Sequence, residues 1–296
     1  MVTVVKRKVK GITYFYLEHT SRRGSKFEQK SRYLGRSIPK DIARIKGQFT
    51  YELNKEKWFD RFDSIRRNYR KELSGLPESA REKQLRGFSV RFTYDTQRIE
   101  GSTLTLGETA QLLERGTSPS GKPRADVVEA EAHNRLVLGL PKEKRDLSLR
   151  LALNWNWELL KDTKPDVAGQ VRRHGVAISG SEFVPPTPVE LRPMLDDFFR
   201  WYARSKGKTH PVELAALIHQ RFVTIHPFAD GNGRVSRLMM NYVLDRNQYP
   251  MFNVEYRDRN SYYRALERSQ VRGEESIFAN WLFRRYLKAY SRYERA

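Results

Sequence analysis

Apolar residues recur every three or four positions along most of the chain after residue 50, and the other pattern, short runs rich in β-formers, comes before it. In KEKWFDRFDSIRRNYRKEL, Trp58, Phe62, Ile65 and Tyr69 fall at helical spacing. That predicts a helix, ended by Ser74-Gly75-Leu76-Pro77. A second amphipathic stretch covers roughly 79–100, and TLGETAQLLERG predicts a helix capped by Thr105 and stopped at Gly116. Further helices are predicted near 125–139, 146–161, 188–205, 211–225, 232–247, 259–269 and 274–293. Two segments break the period. GITYFYLEHTSRRGSKFEQKSRYLGRSI reads as a β-hairpin whose tip is the basic SRRGSK. RRHGVAISGSEFVPPTP reads as a short hairpin about Gly180 with a proline-rich exit. The expected fold is mainly α, with a basic β-rich region at 1–46 and a helical region at 47–296.

Composition narrows the function. At 296 residues the chain can hold one large domain, or a main domain with an appendage. It has no cysteine, which excludes disulfides and thiolate chemistry. Six histidines are present, with no two close enough to suggest a metal pair. The apolar runs fall far short of a membrane span and MVTVVKRKVKG is no signal peptide, so a cytoplasmic protein with no membrane partner is expected. Net charge is +21, a field that attracts polyanions. A disproportionate share lies in residues 1–46, where nucleic acid is one candidate partner and a solvated surface is the other reading.

Candidate chemistry concentrates in TIHPFADGNGRVSR, residues 224–237. Pro227 is expected to stop the helix before it and to leave His226 at its end. The next helix begins near Asn232, and Gly231 and Gly233 let backbone N–H groups converge at its positive end. That is a nest for phosphate oxygens. Arg234, Arg237 and Asn241 follow at i, i+3 and i+7, a polar stripe long enough for a chain of phosphates. Val235, Leu238, Met239, Tyr242 and Val243 are expected to fill the core. Asp230 makes sense beside phosphate if Mg²⁺ bridges them, and His226 then supplies a general base. Two arginines in a first turn oppose the macrodipole, which points to an anionic ligand that offsets them.

These residues resemble the active-site signature of Fic-domain proteins, His-Pro-Phe-x-(Asp/Glu)-Gly-Asn-Gly-Arg-x-x-Arg, matched at every position from His226 to Arg237. The resemblance extends over about residues 87–270. It implies a helical Fic-type bundle with a short β-hairpin flap at about 176–184, and transfer of AMP from ATP to a Ser, Thr or Tyr hydroxyl of a target protein. By that resemblance His226 deprotonates the hydroxyl, Asp230 holds Mg²⁺, and Gly231, Asn232 and Gly233 cradle phosphates through backbone and amide donors. Arg234 and Arg237 hold the distal phosphates, with Arg237 on the γ-phosphate, and Phe228 anchors the loop. The flap, with Val176, Ala177, Ile178 and Ser179, offers an edge on which the target lies as an added strand. Many relatives dimerise, so a homodimer is one expected form.

TQRIEG, residues 96–101, is similar to the family's inhibitory motif, and the helix bearing it is placed at about 87–101. Thr96 and Glu100 share a helix face, and Gly101 can close the helix in a left-handed cap. Glu100 in a last turn opposes the dipole, so a cationic partner is expected. The family's partner is Arg237, a pairing that would crowd the γ-phosphate site. Removal of AMP, with Glu100 positioning a water, stays open beside AMP addition. Phosphate transfer is disfavoured because the glycines that make room are intact. A nucleic-acid-associated regulator is a further reading, and a metal-dependent hydrolase on His226 and Asp230, lacking further ligands, ranks last.

Overall fold

A computed structural model describes residues 2–23 and 26–294. Contacts divide it into two units, residues 1–60 and 61–296. In the first, β1 (Thr3–Val9), β2 (Ile12–Arg23) and β3 (Lys26–Gly35) form an antiparallel sheet in the order β1-β2-β3. The expected hairpin is therefore two of three strands. The missed one, TVVKRKV, joins β2 through Lys10 and Gly11, both at positive φ (49° and 81°) as a tight two-residue turn requires. Its charges hide the alternation that marks a strand. Of the expected basic tip, Gly24 and Ser25 lie outside the described residues.

The helix α1 (Ile42–Ser74) crosses the division. Its first turns give Phe49, Ile42, Ile45 and Leu53 to a small core with Val2, Leu17 and Leu34. That packing carries the boundary past residue 46, where composition alone put it, to residue 60.

The second unit is helical: α2 (Glu78–Ile99), α3 (Leu106–Arg115), α4 (Arg124–Gly139), α5 (Leu149–Leu160), α6 (Pro188–Ser205), α7 (Pro211–Ile225), α8 (Asn232–Arg246), α9 (Arg259–Arg272), α10 (Glu275–Ala289) and α11 (Ser291–Glu294). The mainly α expectation is met. α3 starts in the Thr105–Glu108 capping box and ends at Gly116 in the left-handed region, as its sequence dictates. No helix of the described residues is long and apolar enough to cross a membrane.

The site is positioned by α7 and α8, consecutive helices that pack on each other at the centre of this unit. Eleven of the fifteen residues of α7 and twelve of the fifteen of α8 are buried. A helix enclosed on every side has no solvent face, so the polar residues of α8 must find partners inside. Residues 176–184 reverse at a turn in which Ser181 N–H donates to the Ile178 carbonyl at 3.1 Å, with no strand ladder within this segment. Pro185 and Pro186, without N–H groups, follow, and Glu182 N–H donates instead to the Glu267 carboxylate at 2.8 Å.

Candidate active site

The chain leaves α7 at His226, which takes left-handed dihedrals (φ 51°, ψ 55°) ahead of Pro227. That conformation is costly for a residue with a Cβ and persists only where its surroundings enforce it. Arg172 supplies much of the enforcement. Its Nε donates to the His226 carbonyl at 2.8 Å and its backbone N–H to the Pro227 carbonyl at 2.9 Å. The remaining guanidinium nitrogens reach the carbonyls of His174 and Pro186, on either side of the 176–184 turn. One buried arginine thus ties the histidine loop to the base of that turn.

The imidazole Nδ1 lies 3.2 Å from the Val223 carbonyl. A carbonyl only accepts, so the neutral ring carries its proton on Nδ1 and keeps a lone pair on Nε2. Burial lowers the pKa below its usual value, with Arg172 adding to that and the Val223 bond, Glu100 and Asp230 opposing it. His226 is therefore neutral at pH 7 and able to accept a proton.

Phe228 is fully buried, its ring 5.7 Å from that of Phe222, in the anchoring place expected. Its backbone exchanges two hydrogen bonds with the Asn232 amide, at 2.9 and 2.8 Å. The Asn232 side chain therefore closes the loop through its oxygen and one amide N–H, leaving its other amide N–H and its backbone N–H. Gly231 sits at φ 84°, and a Cβ there would lie 2.8 Å from the Asn156 amide. Asn156 in turn donates to the Asp230 carbonyl at 2.9 Å and accepts from Gly169 N–H at 2.8 Å. No side chain caps α8, so its first N–H groups are left for a ligand.

Asp230 accepts from Lys164 at 2.5 Å, from Gly231 N–H at 2.5 Å and from Arg234 at 2.9 Å. Burial pushes its carboxyl up, but Arg234 and Lys164 outweigh burial and hold it at about 2. Arg234 is committed to Asp230 and to Glu129 of α4, deep in the interior. Instead of reaching towards a distal phosphate, it fixes Asp230. Asn241 is likewise interior: its amide donates to the Phe252 carbonyl at 3.0 Å and accepts Phe252 N–H at 2.6 Å. The polar stripe along α8 thus ends at Arg237.

Arg237, 1% exposed, meets the end of α2. It donates to the Glu100 carboxylate at 2.5 Å, to the Thr96 hydroxyl at 3.2 Å and to the Tyr262 hydroxyl at 3.2 Å. Gly101 lies at φ 103° just beyond, the left-handed closure expected. A Cβ on Gly233 would collide with Glu100 Oε1. An acidic group therefore rests on the loop glycine and the arginine together, at the uncapped start of α8. The structure brings together Thr96, Glu100, His226, Asp230, Gly231, Gly233 and Arg237. Glu129, Asn156, Lys164, Arg172 and Tyr262 support them and were not read from sequence.

Two more histidines lie within this core. His133 is paired with Thr93 at 2.9 Å and His219 with Tyr262 at 3.0 Å. Burial holds both imidazoles well below 6.5, with Arg237 adding to it. Below about pH 6.5 the unfolded chain takes up protons that the folded state refuses. Stability is therefore complete above that pH and expected to fall by about 3 kcal/mol for the pair by one pH unit lower. Thermal unfolding at pH 7.5 and 5.5 measures this; equal melting temperatures would mean that the fold accepts both protons.

Residues 146–244 match the family model described as the Fic/DOC family. The chain is 35% identical over 178 residues to a protein adenylyltransferase Fic of Drosophila yakuba, 59% of this chain and 36% of that one. The Drosophila melanogaster protein of the same name is 34% identical over the same length. The chain thus spans about a third of the length of the curated relatives it matches. A Fic domain-containing signalling protein from Bacteroides thetaiotaomicron superposes with a TM-score of 0.69 at 27% identity, over 79% of this chain and 97% of the other. Fic-1 from C. elegans gives 0.72 at 26% identity, over 88% and 78%.

Proposed function

Since this chain belongs to the Fic/DOC family, we propose that it is a protein adenylyltransferase that moves AMP from ATP to a hydroxyl of a target protein. The observation that carries this reading is a neutral imidazole with a free Nε2 beside an uncapped helix start, on which a carboxylate already rests in the manner of a phosphate.

The reaction follows from these groups. His226 Nε2 takes the hydroxyl proton as the oxygen bonds to the α-phosphorus. The bond to the β-phosphate oxygen breaks, and pyrophosphate leaves. Backbone N–H groups at Gly233 and the start of α8 face the charge that gathers on the phosphates, and Arg237 holds the distal end. Asp230 fits Mg²⁺ as a single ionised carboxylate, since that ion takes one or two protein carboxylates and completes its shell with phosphate and water. Lys164 would yield its place on Asp230 to the ion. Mg²⁺ bound there neutralises phosphate charge. The target is read by the edge at Val176, Ala177, Ile178 and Ser179, where main-chain groups outside any ladder can align an incoming strand. Glu100 restrains the enzyme by occupying Arg237.

Incubation with ATP labelled at the α- or the γ-phosphate, in the presence of Mg²⁺ and cell lysate, tests the reaction class. Label is expected to appear on protein from the α position alone, with the matching gain of one AMP by intact mass. Transfer of γ-label would replace nucleotidyl by phosphoryl transfer. No transfer by wild type or by Glu100→Gly would remove the proposal.

A further inference from the structure

Helix α9 borders the candidate site. Near its start, the Tyr262 hydroxyl accepts from Arg237 at 3.2 Å, and the Tyr263 hydroxyl donates to the Ile99 carbonyl, next to Glu100, at 2.7 Å. One turn on, the Glu267 carboxylate accepts the Glu182 N–H at 2.8 Å and so holds the 176–184 turn against the helix. The solvent side carries Arg264, Arg268 and Arg272, all exposed, at i, i+4 and i+8. Arg264 is three residues from Glu267, which puts the start of this row beside the turn. None of the three has a carboxylate partner among the described residues. Arg264 gives its Nε to the Asn260 carbonyl, and neither Glu182 nor Glu267 pairs with the row. Like charges at i and i+4 repel, so the row works against the helix that bears it. The negative end of the helix offsets Arg272, in the last turn, but not Arg264 or Arg268. On α6, by contrast, exposed arginines meet acids of their own helix, Arg192 with Asp196 and Arg200 with Asp197. Apolar side chains also stand in water near the same contact: Val184, two residues after Glu182, is 81% exposed, and Val271, one turn after Glu267, is 53% exposed.

We propose that this face of α9 receives an acidic segment of the target protein, next to the hydroxyl that accepts AMP. The identity of the partner as a target rests on the AMP-transfer reading; its acidity rests on the arginine row. Exposed cations without partners select carboxylates, and a guanidinium can take one through two parallel hydrogen bonds. The spacing suits an extended chain. Arginines four apart on a helix are separated by about 6 Å along its axis. Alternate residues of a strand lie about 6.6 Å apart on one face. Acids two apart in an extended target segment therefore meet Arg264 and Arg268 in turn. A segment that pairs with the edge at residues 176–179 arrives extended for the same reason. Val184 and Val271 then meet its apolar side chains and leave water.

The test uses the full chain and two fluorescein-labelled peptides in fluorescence anisotropy: Glu-Val-Glu-Val-Thr-Val-Glu-Val-Glu, and its counterpart with lysine in place of every glutamate. Wild type should bind the acidic peptide about tenfold or more tightly than the basic one. Arg264→Glu/Arg268→Glu should reverse that preference. Lys142→Glu/Lys144→Glu, an equal change of charge on exposed positions elsewhere, should keep its affinity for the acidic peptide within about threefold of wild type. Arg264→Gln/Arg268→Gln should lose the preference yet melt no lower than wild type, because it removes the repulsion together with the charge; it carries the test if the charge reversal prevents folding. Mg-ATP affinity should stay within about threefold in every variant, since Arg237 and not this row is assigned to the distal phosphate. In a Glu100→Gly background, label from the α-phosphate should pass to the acidic peptide in preference to the basic one. Charge-dependent binding in a protein that labels neither peptide nor any lysate protein would remove AMP transfer and leave the acidic-segment site standing. Equal affinity for the two peptides, an equal loss in the control variant, a parallel loss of Mg-ATP affinity, or tighter binding of a single-stranded oligonucleotide through the same two arginines would each overturn the proposal.

Discussion

Replacing His226 with alanine is expected to lower AMP transfer by roughly two to four orders of magnitude, the span of a lost general base. ATP affinity should stay within about threefold of wild type, because the groups assigned to the phosphates belong to α8 and not to the imidazole. The effect follows from the proton inventory. Val223 fixes Nδ1–H, so Nε2 is the basic nitrogen that the ring can offer. Its lowered pKa keeps it deprotonated through neutral pH, chiefly because burial disfavours the cation. The wild-type rate should accordingly hold a plateau at neutral pH and decline only below about 6.5, the unperturbed histidine value. The variant should lose that acid limb along with its activity. The stability change should be small, on the order of 1 kcal/mol, since the left-handed backbone is clamped through the residue's carbonyl, not its ring. A variant that folds, binds ATP and still labels its target at the wild-type rate would place the base elsewhere.

What sequence could and could not reveal divides along the distance of the interactions concerned. Thr105 and Gly116 bound α3 through contacts within one turn, and both were legible. The glycines and His226 declare a loop because their neighbours, Pro227 and Phe228, are adjacent in the chain. Arg234 and Asn241 mark the limit of such a local reading. Helical spacing gives a residue's direction, but not what waits there. Glu129 lies 105 positions from Arg234 and Phe252 lies beyond the end of α8, so neither partner enters a local window. Arg172 is harder still. It serves four backbone carbonyls, and a carbonyl leaves no trace in composition. β1 was hidden by its charges, and the flap was overread because alternation predicts extended chain whether or not a partner strand is present.

Exchange of Glu100 for glycine is expected to raise AMP transfer roughly 5- to 150-fold, the range of a coupling of about 1–3 kcal/mol between two competing occupants of one site. The competition is electrostatic and steric at once. The carboxylate rests on Gly233 and holds Arg237, so a phosphate entering the same place meets both an excluded volume and a like charge. Glu100 cannot readily retreat, because the end of α2 is pinned on several sides. Asp95 accepts from Asn253 and Tyr256 N–H, Gln97 donates to the Glu129 carbonyl, and the Tyr263 hydroxyl donates to the Ile99 carbonyl. Removing the carboxylate leaves the Arg237 cation buried with only Thr96 and Tyr262 as hydrogen-bond acceptors. That should cost on the order of 1–3 kcal/mol, after a discount for the partial exposure of Glu100. The nucleotide-free variant should therefore melt lower than wild type. Mg-ATP should then restore an anion to Arg237 and raise the melting temperature more in the variant than in wild type, because tighter binding to the folded state adds more stability at equal ligand. A structural role for Glu100 alone would lower stability without raising either transfer or the response to ATP, so the two thermal shifts, read beside the labelling, separate a brake from a brace.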